Sequence, residues 1–393
     1  MKLNNRQQAI LRAVIDDYIE TAEPVGSKNL VSRHAFPVSS ATVRNEMAEL
    51  EEQGYLEQKH TSAGRIPSDK GYRTYVDNLL RASELTPEEQ EQIQGYLSEC
   101  IDEVSDLIRR ASTVLSEQTG YTSLVLTPQL RRSQLKQLKM LMIEPGRALV
   151  VVVLEAGVVK DRLVRIPSMI DSSQLMQIAN AIEDSLTGMK LDDITLVTVT
   201  SAGRKTELPD SLLNQVLYEA YVAIKQADNL EVYMEGAHKM LSYPEFQNID
   251  KAKDYYNMLS RDGIIAGYMN ELSEERRQEK IVADAESETQ DEQFERAEIL
   301  DDTEGSLGGQ VMKKRPAYMV RIGQEISLEG LSDCSLVTTS YRIGDTVVGN
   351  MGVIGPRRME YGKVISNISY IKTALDAEIR KIASVRAESE DQH

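Results

Sequence analysis

The chain has 393 residues, 41% of them hydrophobic, with 62 acidic against 45 basic side chains and a formal net charge of −17. That length exceeds what one core serves, so two or three domains are expected, and the apolar fraction excludes a disordered chain. The acidity argues against indiscriminate binding to polyanions, although phosphate contact depends on where Lys and Arg sit rather than on the total.

Location softens that exclusion. Residues 1–80 carry ten Lys and Arg against eleven acidic residues, so the head of the chain is near neutral and the excess charge lies in the body. Cys100 and Cys334 stand far apart within apolar patterns, which argues against a disulfide framework and fits a reducing compartment. The start, Met1 to Gln7, lacks the apolar core of a signal peptide, and no apolar run approaches a bilayer span. A soluble, cytoplasmic protein is expected.

In chain order, Asn5 and Gln8 read as a capping pair for a helix in which Ile10, Leu11, Val14, Ile15, Tyr18 and Ile19 recur at helical spacing until Pro24. Gly26 and Ser27 open a short second helix, Lys28 to His34, with Leu30 and Val31 facing inward. Pro37 and Ser39 turn the chain into a third helix, Ser39 to Leu50, whose Val43, Met47 and Leu50 form the core-facing stripe. That stripe leaves Ala41, Thr42, Arg44 and Asn45 on the outer and flanking faces near the helix start, the positions from which a recognition helix touches bases. Arg pairs with a guanine edge, Asn with adenine, and Ala or Thr methyls meet a thymine methyl. Glu49, Glu51 and Glu52, toward the helix end, are expected to point away from phosphate.

Gly54-Tyr-Leu56 ends this helix and starts a strand, and the stretch through Ile66 reads as a two-stranded basic hairpin with Ser62, Ala63 and Gly64 at its tip. Ser68 and Asp69 then cap a helix carrying Tyr72, Tyr75, Val76, Leu79 and Leu80. A small-residue helix start beside a cationic loop suits a module that lays a helix into a nucleic-acid groove and grips the backbone with a wing. The expected DNA-binding set is Lys28, Ser39, Ser40, Ala41, Thr42, Arg44 and Asn45, with His60, Thr61 and Arg65 from the hairpin. The plainer alternative is a protein-docking module, with His60 an ordinary loop residue and Arg65 a brace for the hairpin.

Pro24-Val-Gly-Ser27, Ser39-Ser-Ala-Thr-Val-Arg-Asn45, Leu50-Glu-Glu-Gln-Gly54, His60-Thr-Ser-Ala-Gly-Arg-Ile-Pro67 and Gly71-Tyr-Arg73 closely resemble the bacterial heat-inducible transcription repressor family HrcA. The likeness returns in Ile322-Gly-Gln-Glu325, Asp333-Cys-Ser-Leu-Val337 and Gly352-Val-Ile-Gly-Pro-Arg-Arg-Met-Glu-Tyr361. The resemblance implies an α+β multidomain protein: an N-terminal winged helix-turn-helix domain, then a GAF-like domain carrying an inserted dimerising α/β domain. It also implies a homodimer that binds an inverted-repeat operator in double-stranded DNA upstream of chaperone operons and is kept active by the chaperonin GroEL.

In the body, Thr86-Pro-Glu-Glu89 is a capping box, and Ile93, Leu97, Ile101, Val104, Ile108, Ala111 and Leu115 read as one helix of about 32 residues reaching Gly120. Three strands follow, Leu138 to Ile143, Ala148 to Leu154 and Val158 to Ile166, then helical patterns at Ser173 to Leu186 and Pro209 to Ala227 around a short apolar run, Ile194 to Val199. The domain reading is therefore 1–84 winged helix, 85–133 linker helix and start of the GAF-like domain, 134–230 inserted dimerising domain, and 231–393 the rest of the GAF-like domain. An alternative assigns the meander to the GAF-like sheet and pushes the insert later. Residues 271–315 are dominated by acid and departed from the family pattern, so they are expected to be a flexible, solvated excursion. Tyr318 to Ile326, Cys334 to Arg342 and Thr346 to Gly355 read as strands, and Val364 through Ile382 as a closing helix. The loop from Gly355 to Tyr361 reads as a structural turn ordering Arg357 against an acid, with a ligand pocket or domain contact as alternatives.

No catalytic set emerges. The four histidines His34, His60, His238 and His393 include no pair at helical ligand spacing, and there is no Gly-x-Ser-x-Gly elbow or dinucleotide fingerprint. Gly305-Ser-Leu-Gly-Gly309 lacks a following Gly-Lys-Ser/Thr, so it is no phosphate loop. No enzyme activity, metal or cofactor is expected. Two rival readings are a regulator sensing a small effector through its GAF-like domain, and a docking scaffold or enzyme that never touches DNA.

Overall fold

The computed structural model describes every residue except 1–2, 59–63, 81–83, 99–103, 129, 132, 156–157, 207, 229–230, 279–317, 344–346 and 391–393. In the head, α1 (Asn5–Thr21), α2 (Ser27–His34) and α3 (Ser40–Glu52) close around Ile10, Leu11, Val14, Ile15, Leu30, Val43, Met47 and Leu50, all buried. The first cap lies one residue ahead of the expected Asn5–Gln8 pair. Gln7 N–H donates to Asn4 Oδ1 at 2.9 Å and Asn4 N–H to Gln7 Oε1 at 3.2 Å, and Asn5 is already helical.

Strands β1 (Leu56–Glu57) and β2 (Ile66–Pro67) pair antiparallel, and two backbone bonds of 2.9 Å between Val25 and Arg65 tie this hairpin to the α1–α2 turn. The helix α4 (Asp69–Thr74) continues into a π turn, Tyr75–Leu79. Its cap Ser68 accepts from Gly71 N–H at 3.0 Å and donates to the Gly54 carbonyl at 2.6 Å. Gly71 is required by proximity: a Cβ there would stand 2.2 Å from the Tyr55 carbonyl oxygen.

The body continues with α5 (Pro87–Ser98), α6 (Val104–Thr119), β3 (Thr122–Leu126), β4 (Leu135–Glu144), β5 (Arg147–Leu154), β6 (Val159–Arg165) and α7 (Ser172–Leu186). Then come α8 (Leu196–Gly203), α9 (Asp210–Gln226), β7 (Val232–Glu235), α10 (Ile249–Leu259), α11 (262–278), β8 (Met319–Ile322), β9 (Cys334–Ile343), β10 (Val347–Pro356) and α12 (Tyr361–Glu390).

Two expectations are corrected. The single long helix from Thr86 to Gly120 is two helices, α5 and α6. Arg110 Nη1 donates to the Tyr96 carbonyl at 3.3 Å, whereas fourteen residues of one continuous helix would hold these positions about 21 Å apart. The chain doubles back, and the apolar stripe stays in phase because both halves pack on α12. The flexible excursion expected over 271–315 does not hold for 271–278, which complete α11, with Leu272 buried and Glu275 paired to Arg321. The remainder of that expectation, 279–315, lies outside the described residues.

Five antiparallel strands form the main sheet in the order β7-β3-β10-β9-β8. Register assigns its faces. Ser123 Oγ meets Ser112 Oγ of α6 at 2.9 Å on one side, while Thr122 Oγ1 meets Tyr255 OH of α10 at 2.6 Å on the other. Asn350, in step with Thr122, donates to Asn270 of α11 at 2.8 Å, so α6 with α12 and α10 with α11 sandwich the sheet.

Between β3 and its neighbour β7 the chain leaves this sheet and builds another, β4-β5-β6. Leu138, Met140, Ala148, Val150, Val152, Leu154 and Val164 are buried on the face that meets α7 and α9. The strands alternate, so the opposite face carries Leu141, Leu149 and Leu163 in one cross-strand row, with Val151, Val153 and Val159 beside it. No described element covers that face, and Leu141 and Leu163 are 54% and 47% exposed.

Head and body meet at an ionic and aromatic junction. Arg357 Nη1 donates to Asp69 Oδ1 at 2.8 Å and its Nη2 to Asp333 Oδ1 at 3.2 Å. Burial opposes the charge of Arg357, but Asp69 and Asp333 outweigh it and hold its pKa above the ordinary arginine value. Thus the loop read as a turn ordering Arg357 against an acid is also a domain contact, because Asp69 belongs to the head. Tyr72 and Tyr75 pack on Tyr361 with ring centroids 6.1 and 6.5 Å apart.

Adding a methyl at Gly71 forces α4 away from Tyr55. Gly71→Ala is expected to cost about 1–3 kcal/mol of head stability, read by thermal unfolding followed by circular dichroism.

Candidate nucleic-acid interface

Helix α3 separates its residues into two stripes. Val43, Glu46, Met47 and Leu50 are buried, whereas Ala41, Arg44, Asn45 and Ala48 are exposed at the i, i+3, i+4, i+7 spacing of a single face. Ser39 is the N-cap, its Oγ accepting from Thr42 N–H at 3.2 Å and lying 3.0 Å from Thr42 Oγ1. Ser40 and Thr42 are half-buried beside it, and Lys28 is exposed on α2. Short side chains at the helix start leave room for a partner's backbone to approach.

The angle of α3 is fixed from below. Glu46 is a buried carboxylate that takes Arg6 Nε at 2.6 Å, and Gln7 Nε2 donates to Glu49 Oε2 at 3.0 Å, so two polar bonds pin α3 to the start of α1. The sequence reading does not single out Glu46 on the core side. Its position one residue before Met47 on the apolar stripe was the available signal.

Ion pairing singles out one guanidinium. Arg6 pairs with Glu46, Arg12 with Asp16, Arg33 with Asp17 and Glu20, Arg65 with Glu51, and Arg73 with Asp77 and Glu325. Among the described residues Arg44 alone of the head's arginines has no carboxylate partner, and it stands on the exposed stripe of α3. Lys28 likewise has no partner among them. An unpaired guanidinium keeps its donor fork free for a planar acceptor.

The hairpin contributes less to the described surface. Arg65 is half-buried, with Nε donating to Glu51 Oε2 at 2.7 Å, and so it braces the base of the hairpin against α3. His60 and Thr61 lie outside the described residues. Ala48 was missed by the sequence reading, although carrying the stripe one turn further from Ala41, Arg44 and Asn45 would have found it. Among the described residues no group of three His, Cys, Asp or Glu side chains is placed to hold a metal, and no helix is long and apolar enough to cross a membrane.

The family model for the HrcA protein C terminal domain matches residues 105–365. A heat-inducible transcription repressor HrcA from Ruminiclostridium cellulolyticum is 40% identical over 383 residues, covering 97% of this chain and 99% of that protein. The chain belongs to the HrcA family. Its HrcA relative from Acetivibrio thermocellus is 36% identical over 382 residues, 97% of this chain and 98% of that protein. A crystal structure of a hypothetical protein at 2.2 Å resolution shares the fold, with a TM-score of 0.58 and 19% identity over 97% of this chain and all of that one. HrcA is a family of transcription repressors, not of enzymes, and the matched span together with the relatives runs across both the head and the body.

Removing the α3 cap tests its local role. Ser39→Ala is expected to cost about 1 kcal/mol and Ser39→Gly only a few tenths, measured by chemical denaturation of the head.

Proposed function

We propose that this HrcA-family chain is a sequence-specific DNA-binding repressor of heat-shock chaperone operons, acting as a homodimer on an inverted repeat and kept active by the chaperonin GroEL. The unpaired Arg44 on the exposed stripe of α3 is the observation that carries the reading. In it, residues 1–84 are a winged helix-turn-helix domain whose α3 enters the major groove. Arg44 takes a guanine edge, Asn45 an adenine, and Ala41 and Thr42 offer methyl contacts to thymine. Lys28, Ser39 and Ser40 contact phosphate, and His60 and Thr61 hold the backbone from the wing. Arg65 acts at one remove, by keeping the wing's base against α3.

The five-stranded sheet with its flanking helices is the GAF-like domain in this reading, and the excursion between β3 and β7 is the inserted dimerising domain, somewhat wider at both ends than 134–230. The uncovered apolar row Leu141, Leu149 and Leu163 supports a second copy as its occupant, because an apolar sheet face of this kind needs cover in water. An acidic body with a near-neutral head supports low affinity for random DNA. The cavity beside Val104, Ile108 and Thr127, at the edge of the main sheet, holds about 10 Å³, room for one water.

Arg44→Ala and Asn45→Ala are expected to lose discrimination between the operator and altered operators, at about 1–3 kcal/mol per base contact, whereas Arg65→Ala weakens binding to all sequences alike. Normal operator selection by Arg44→Ala and Asn45→Ala in a gel shift contradicts the assignment. Repeating the wild-type titration on a chaperone-operon inverted repeat, with and without chaperonin at two temperatures, tests the proposed control: affinity should rise with chaperonin present.

Leu163→Asp places a charge in the proposed dimer face. A folded monomer by analytical ultracentrifugation is expected, with operator affinity lowered about a hundredfold or more through lost bivalency.

A further inference from the structure

We infer that the head–body junction is a rigid latch that sets which half-site spacing the dimer accepts, with Arg73, Asp69 and Arg357 as positioning residues. This rests on the DNA-binding dimer proposed above and adds to it a determinant that lies away from any base.

Three guanidiniums cross the junction in both directions. Arg73, on the head, donates from Nε to Glu325 Oε1 at 2.9 Å and from Nη2 to the Val320 carbonyl at 2.7 Å. Arg357, on the body, takes Asp69 at the first turn of α4 and Asp333 behind it, and Asp333 is held in turn by Lys251 Nζ at 2.5 Å. Arg358, only 10% exposed, donates to Glu245 Oε1 at 2.6 Å and to the Ile19 carbonyl near the end of α1 at 3.0 Å. The anchored head segments are α1 and α4, and the anchored body segments are β8 with its following turn and the loop before α12. Several points on two helices fix rotation as well as position.

Gly323 shows how close the fit is. Its φ is +53°, and a Cβ there would stand 2.3 Å from Asp69 Oδ2, the oxygen that accepts Gln324 N–H at 3.1 Å. Asp69 therefore occupies the space that a side chain at this position would take, and accepts from both Arg357 and the turn. The aromatic centre, Tyr72 and Tyr75 on Tyr361, supplies apolar contact but little directional constraint, whereas forked charge-assisted bonds are directional.

None of these groups lies on the Ala41–Arg44–Asn45–Ala48 stripe. In a dimer, the separation and phase of two α3 helices depend on the body contact and on this joint together. Because B-DNA turns once in about 10 base pairs, heads fixed in orientation accept one spacing and heads free to swivel accept several.

The test is fluorescence anisotropy of the full-length protein on inverted repeats with graded spacers, and on a single half-site. Wild type should favour one spacer by about tenfold or more over one altered by about half a turn. Arg357→Ala, Arg73→Ala and Gly323→Ala should keep half-site affinity within about threefold while reducing the spacer preference below about threefold. Asp69→Asn, nearly isosteric, carries the same expectation should a larger change unfold the head, and circular dichroism verifies folding. Folded variants that retain the wild-type spacer preference overturn the latch. Failure of wild type to bind any repeat overturns instead the DNA-binding reading on which it rests.

Discussion

Everything the head can do depends on two carboxylates held on the wrong side of water. Glu46 lies on the buried stripe of α3 and Asp69 lies at the junction with the body, and each is tolerated because an arginine reaches it, Arg6 in the first case and Arg357 in the second. A half-buried carboxylate without its partner costs more than the pair gains when exposed, so these pairs act as registration pins rather than as sources of net stability. Glu46 fixes the roll of α3 about its axis, which decides that Ala41, Arg44 and Asn45 face outward. Asp69 fixes the attitude of the whole head.

The distribution of paired and unpaired charge follows from this. Arginines at positions 6, 33, 65 and 73 are paired with acids of the same chain, which offsets the positive charge they would otherwise offer a polyanion. The body's excess acid repels phosphate at long range. In the proposed reading, a guanidinium left free on a small-residue helix start would owe its specificity to isolation, with few unpaired cations beside it to hold DNA in unspecific arrangements.

Much of this was legible in the sequence where periodicity is local. The apolar spacings of α1, α3 and α12 and the runs that become β4, β5 and β6 were set by residues three, four or two apart, and hydrophobic pattern alone reports such neighbours. What failed was the break between α5 and α6, because two helices burying the same face against α12 preserve one phase across the gap. What no local pattern holds is the meeting of Gly71-Tyr-Arg73 with Ile322-Gly-Gln-Glu325, Asp333 and Arg357. Each stretch resembles the family on its own, and only the fold shows that they touch one another. Within the candidate site the exposed positions of α3 were readable, while Arg65's engagement with Glu51 required the hairpin's close return to α3.

The pairing of β3 carries a kinetic consequence. Thr122 lies opposite Ile354, so the central strands of the main sheet are joined only after the long stretch of chain between them has been made. Until then β3 and β7 have each other but no β10, and a strand edge waits unpaired while the ribosome finishes its work. High contact order of this kind slows closure and lengthens exposure of sticky intermediates. Closure of the main sheet thus waits on β10, which is made long after the β3 strand it must join.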